Sequence, residues 1–121
     1  MFSLFTHNKH AASDNKKVYQ ELKKFYNSFS SDIYNEMNIG RYRPIRDAIG
    51  LVMNKFDNND HPMEYTSKLL MYIEATVALN HLHLTPEQED LMRKLTELTK
   101  YVNLSYVYLS PIDSEKQFAN I

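Results

Sequence analysis

Apolar residues recur every three or four positions over most of this chain, and the breaks in that rhythm divide it into four segments. From Asp14 to Asn38 the stripe is Val18, Leu22, Phe25, Phe29, Ile33 and Met37. Such spacing brings side chains to one face of an α-helix. Ser13 or Asp14 can cap its start by accepting from backbone N–H groups that have no helical partner. Gly40 stands where this helix is expected to end, since glycine enters the left-handed region without a Cβ clash. A second helix is predicted from Pro44 to about Asp57, with Ile45, Ala48, Ile49, Val52 and Phe56 as its stripe. Proline suits the first helical position because its missing N–H had no partner there. Gly50, inside this segment, either weakens it or marks a close approach of another helix.

The run DNNDHP, residues 57–62, interrupts the pattern. Asp60 is expected to cap a third helix, with Pro62 in its first turn and Met63, Thr66, Leu69, Leu70, Ile73, Val77 and Leu82 along its stripe. Between Leu69 and Leu79 almost every residue is apolar or small, which predicts the most buried helix of the set. The fourth helix carries the most concordant signals. Thr85 and Gln88 have the spacing of a capping box, in which each side chain satisfies the other's backbone donor. Pro86 falls at the first helical position, and Glu87, Glu89 and Asp90 complement the positive helix end. Leu91, Leu95, Leu98 and Val102 form its stripe. Beyond Lys100, YVNLSYVYL continues a helical spacing yet is rich enough in β-branched and aromatic residues to be extended. Pro111 ends it.

Short connections between such helices predict an all-α, antiparallel up-down four-helix bundle. It is expected to span residues 14–109, after a flexible extension (1–13) and before a polar C-terminal tail (110–121).

Composition narrows the chemistry. The 121 residues suit one domain. Without cysteine there is no disulfide, thiolate metal site or sulfur nucleophile, which agrees with a reducing cytosol. A net charge of −1 gives no global pull towards nucleic acid, and no nucleic-acid partner is expected. The apolar start of MFSLFTHNKH is too short for a signal peptide, and the longest apolar run, LLMYIEATVAL, is broken by Glu74. The expectation is a cytoplasmic protein with at most transient contact with a membrane.

His81 and His83, two residues apart at a helix end, would point to different faces of a regular helix. Zinc needs three or four ligands. The imidazoles therefore read as helix-end punctuation, with no metal and no cofactor expected. Arg41, Arg43 and Arg46 in RYRPIR are the one local charge excess, able to hold phosphate or a lipid headgroup, or simply to cover apolar surface. Nine tyrosines are present. Of these, Tyr101, Tyr106 and Tyr108, with Leu109, cluster near the C-terminus and make the best candidate for a partner surface, since tyrosine has an apolar body, a polar tip and little entropy to lose. Neither E-x-x-H inside a helix, a glycine-rich phosphate loop nor a nucleophile elbow occurs, so no enzymatic activity is expected.

The layout resembles a known family. The first helix VYQELKKFYNSF, the buried third helix and ALNHLHLTPEQEDLMRKLTELTKY are similar to the immunity proteins of pediocin-like (class IIa) bacteriocins, over roughly residues 15–109. That resemblance implies a non-enzymatic cytosolic four-helix bundle of lactic acid bacteria and their relatives, which protects the producer cell from its own peptide toxin. It implies as partner the mannose phosphotransferase permease, a membrane receptor, in complex with the bacteriocin peptide. It also implies that the C-terminal part, here Tyr101 to Ile121, decides which toxin is countered. The alternative is a small regulatory or adaptor bundle that binds another soluble protein. Oligomeric state stays open.

Overall fold

A computed structural model of the protein describes residues 2–31, 33–35, 37–102 and 118, with side chains from residue 14 onward. It holds four helices: α1 Phe2–Ser28, α2 Ile39–Asp57, α3 Pro62–Leu79 and α4 Pro86–Thr99. Each packs on two neighbours, α1 and α3 both on α2 and α4, while the diagonal pair α1 and α3 touch only lightly. Their directions follow from side-chain pairs. Tyr26 lies against Gly50 but the earlier Tyr19 against the later Phe56, so α1 and α2 are antiparallel. Ser67, early in α3, donates to the carbonyl of Thr99 at the end of α4, and Gln88, early in α4, donates to Ser28 at the end of α1. The all-α antiparallel bundle is as the sequence predicts.

The core is the predicted stripes: Val18, Leu22, Phe25 and Phe29; Ile45, Ala48, Ile49 and Val52; Leu69, Leu70 and Ile73; Leu91 and Leu95. Burying each larger one contributes roughly 1.5–3 kcal/mol.

Helix ends are where sequence and structure part. α1 begins at Phe2 rather than Asp14, so Ser13 and Asp14 lie inside it and cap nothing. No glycine or proline precedes Gly40, hence nothing stops upstream propagation. At the other end α1 stops at Ser28, ten residues short of Asn38. There the serine hydroxyl donates to the Phe25 carbonyl, and the backbone tightens into three-residue turns through Ser30 and Ser31. Serines compete for the helix's own hydrogen bonds in this way. Ile33 and Met37 therefore leave the predicted stripe and stand 55 % and 93 % exposed.

α2 in turn starts at Ile39, ahead of the predicted Pro44. Two asparagines make this start. The Asn35 side chain accepts from the N–H groups of Met37 and Asn38, while Asn38 Oδ1 accepts from Asn35 N–H. Asn side chains mimic backbone turns in this manner. Pro44 ends up inside the helix, where it removes the donor that the Gly40 carbonyl would have used. Gly40 is exposed, with nothing within 4 Å of the place its Cβ would occupy. It opens α2 instead of closing α1.

The α2–α3 corner also differs from expectation. Asp60 does not cap α3, whose N-cap is His61 in the left-handed region (φ 46°) with no side-chain cap bond. Asn59, at φ 50°, closes α2, and Asp60 N–H donates to the Lys55 carbonyl at 2.9 Å. This is the six-to-one bond of a Schellman ending, with asparagine where glycine is usual. The Asp60 carboxylate accepts from Lys55 Nζ at 3.4 Å and contacts the His61 ring at 3.2 Å. Lys55 is 1 % exposed, and its ammonium also lies 4.5 Å from the centre of the Tyr65 ring. The bond with His61, and after it Lys55, holds the Asp60 carboxyl below its ordinary pKa against the opposing effect of burial.

α3 is less covered than its composition predicts: Leu69, Leu70, Tyr72 and Ile73 are buried, but Ala78 and Leu79 are exposed. Leu82 is buried in the connector beyond the helix.

The capping box of α4 is present, Thr85 Oγ1 accepting from Gln88 N–H at 3.1 Å and Gln88 Oε1 accepting from Thr85 N–H at 3.0 Å. Gln88 does more than cap. Fully buried, its Nε2 donates to Ser28 Oγ and to the Tyr34 hydroxyl, both at 2.9 Å. One amide thus ties the end of α1, the α1–α2 connector and the start of α4. Burial keeps the Tyr34 phenol above its ordinary pKa, with Tyr42 adding to this and the bond to Gln88 opposing it. Phe29, Tyr34 and Tyr42 pack ring on ring above this amide, with centroids 5.1–6.4 Å apart.

Two measurements check this picture. The two glycines should respond differently to alanine. Gly40→Ala, in open space, should raise stability by about 0.5–1 kcal/mol in chemical denaturation. Gly50→Ala should gain less or lose, because its Cβ would come 3.1 Å from the Tyr26 ring. For Asp60, the lowered pKa supplies stability present above the unfolded value, about 3.9, and lost as pH falls through the folded one. Asp60→Asn should therefore cost about 1 kcal/mol at pH 7, and the gap to the parent chain should close below about pH 4.

Candidate partner-binding surfaces

The last turn of α4 ends in hydroxyl-to-backbone bonds, Thr99 Oγ1 donating to the Leu95 carbonyl at 2.8 Å, and Val102 N–H closes a turn on the Thr99 carbonyl. Tyr101 leaves this turn 88 % exposed. Lys100 places its ammonium 5.1 Å from the centre of that ring and pairs with Glu97 one turn back. The Glu97 carboxylate, and secondarily the tyrosine, raise the Lys100 pKa. The surface here therefore sets a charged group beside an exposed aromatic ring.

Phe118 returns the chain to the bundle. It is 1 % exposed and meets Tyr72 of α3 edge-on, with ring centroids 5.8 Å apart. The tail expected to be polar therefore carries one core residue. Its sequence signal is slight: Phe118 is the one aromatic among residues 110–121. One turn before Tyr72, Lys68 is also buried, and burial lowers its pKa from the ordinary lysine range. Tyr106, Tyr108 and Leu109 lie outside the described residues.

Arg41, Arg43 and Arg46 all lie within α2 rather than in a turn before it. Arg41 donates to the Asn80 carbonyl at 2.7 Å and so satisfies the end of α3. Arg46 pairs with Asp47 at 3.1 Å, and Arg43 is exposed. Neighbouring Tyr42 both donates to the His83 carbonyl and accepts from the His83 N–H at 3.2 Å. This stretch latches α2 to the α3–α4 connector. The arginines and Tyr101 sit at opposite ends of α3, since Asn80 and Ser67 are separated by roughly 20 Å of helix. Arg41 and Arg46 thus have partners within the chain, while Arg43 stands exposed.

His81 takes the left-handed position (φ 53°) that closes α3, and Leu82 N–H donates to the Val77 carbonyl at 3.0 Å in a second Schellman bond. His81 and His83 are both exposed. Among the described residues no three His, Asp or Glu side chains converge on a point that could hold a metal ion.

Two grooves remain. One, about 620 Å³, runs between α1 and α2, where Gly50 leaves room beside Tyr26 and Tyr19, Leu51, Met53, Asp47 and Asp57 form the walls. The other, about 330 Å³, lies between α3 and α4. Neither gathers the groups with displaced pKa, Tyr34, Asp60, Lys68 and Lys100, none of which lines a groove. No described helix is long and apolar enough to cross a membrane.

Comparison with known proteins adds identity to this geometry. Neither the curated proteins nor the solved structures contain a match to the chain. A family model described as bacteriocin immunity protein family matches residues 23–100, more than half of the chain, from the second half of α1 to the end of α4. The resemblance read from the helix pattern is thereby borne out: the chain belongs to the bacteriocin immunity protein family.

Proposed function

We propose that the protein protects a bacteriocin-producing cell by binding the toxin-bound membrane receptor, the mannose phosphotransferase permease, from the cytosolic side. The bundle acts as a rigid support, and the segment from Tyr101 to Ile121 reads the partner. Enzymatic chemistry has no part in this reading.

One observation carries it. The family match stops at Lys100, and the next residue, Tyr101, projects 88 % exposed from the end of α4. The chain then comes back to the core at Phe118. A segment tethered at both ends to a packed scaffold loses less conformational entropy on binding than a free tail does. An exposed aromatic at its root supplies the kind of contact that dominates interface energies.

The experiment is expression in a bacteriocin-sensitive strain, with survival scored against a panel of pediocin-like peptides. The parent chain should protect against at least one. Tyr101→Ala should abolish or sharply reduce protection with an unchanged melting temperature, since the residue supports no core contact. Phe118→Ala should lower protection and also cost about 3 kcal/mol of stability as a buried aromatic is lost. Full killing despite soluble parent protein would contradict the function. Undiminished protection by Tyr101→Ala would contradict the role of the segment.

A further inference from the structure

We propose that the groove between α3 and α4 docks an amphipathic helix of a partner protein, one with an apolar stripe flanked on both sides by lysine or arginine. The groove is independent of Tyr101 and Phe118, and the inference stands apart from the immunity reading.

Its floor is apolar along its length: Ile73, Val77 and Ala78 from α3, Leu84 from the connector and Met92 from α4. Ile73 and Met92 are buried, Val77 and Leu84 half-buried, and Ala78 exposed, so the floor rises from the core to the solvent. This is the stretch whose composition predicts the most buried helix, yet the bundle leaves one side of it open. An apolar trough open to solvent on one side can take up the apolar face of another helix. A groove of about 330 Å³ is at the small end of ligand pockets. Its charged lining residues, Glu74, Glu89 and Arg93, are all exposed and stand at the rim, while the floor is apolar. Anchoring side chains at i, i+3, i+4 and i+7 of a helix suit such a trough.

Charge selects the occupant. Glu74 on the α3 bank and Glu89 on the α4 bank are both exposed and face the groove from opposite sides. The cation at the rim, Arg93, is engaged by Asp90 of its own helix. Each bank thus offers a carboxylate to a basic flank and repels an acidic one, which gives specificity as well as attraction.

The test titrates the full isotope-labelled chain with two model helices of equal length, one of leucine and lysine, the other of leucine and glutamate. The leucine–lysine peptide should give saturable shifts at Ile73, Val77, Ala78, Leu84 and Met92, and the leucine–glutamate peptide none. Glu74→Lys combined with Glu89→Lys should reverse the preference. Ala78→Arg, at an exposed position, should keep the melting temperature and weaken binding by at least about tenfold. Four outcomes would overturn the proposal: equal binding of both peptides, no binding of either, shifts centred elsewhere, or binding that ignores Ala78→Arg. Concentration-dependent shifts at the same residues without peptide would make a second copy of the chain the occupant, and would overturn it equally.

Discussion

A single buried amide at Gln88 constrains one whole end of the bundle. Its backbone and side chain close the capping box with Thr85, and its remaining donors reach Ser28 at the end of α1 and Tyr34 in the connector. Its backbone N–H and both polar atoms of its side chain have partners, which is the condition under which a buried polar group stabilises rather than costs. Because Tyr34 is fixed there, Phe29 and Tyr42 can pack against it, and Tyr42 in turn holds the His83 backbone. The order of dependence runs from the amide to the ring cluster, and from the cluster to the α3–α4 connector.

In the proposed reading this arrangement separates support from recognition. Stripes and buried hydrogen bonds fill the interior, while the features open to a partner lie outside: Tyr101 beyond the last turn of α4, and the uncovered side of α3. Arg41 illustrates the same division. A guanidinium that the sequence offers as an anion grip is engaged in closing the end of α3. The histidines likewise belong to the chain's turning point, with His81 supplying the backbone conformation that ends α3. The family match covers the scaffold from residue 23 to 100 and leaves the Tyr101 segment outside it.

The fold was readable because periodicity reports which side chains must share a face, and the four stripes do pack together. Helix ends were not, since they depend on short polar groups whose hydrogen bonds periodicity ignores. The rhythm of α1 runs on through Ile33 and Met37, but three serines and two asparagines turn the chain before those residues can join the face. The Thr85–Gln88 box, whose signal is two side chains at fixed spacing, came through intact, as did the end of α2 at Asp57 and the prolines that open α3 and α4. Gln88's second role was hidden because Ser28 and Tyr34 lie 60 and 54 residues away along the chain. The same distance problem hides Phe118, one aromatic in a polar stretch, whose partner is on α3. Of the candidate surface, Tyr101 was legible as a partner-facing aromatic, whereas the exposure of Ala78 and Leu79 at the end of α3 was not, because composition alone cannot say which side of a helix its neighbours leave bare.

Native-state hydrogen exchange at the Thr85, Gln88 and His83 amides tests the central claim most directly. First-turn helix amides and connector amides ordinarily exchange through local fraying. If the Gln88 amide is what closes this end, all three protons should exchange only on global unfolding, with the same protection as the Leu95 core of α4. Fast local exchange at Thr85 and Gln88, with the rest of α4 still protected, would show that this end opens freely and that the bundle does not depend on it.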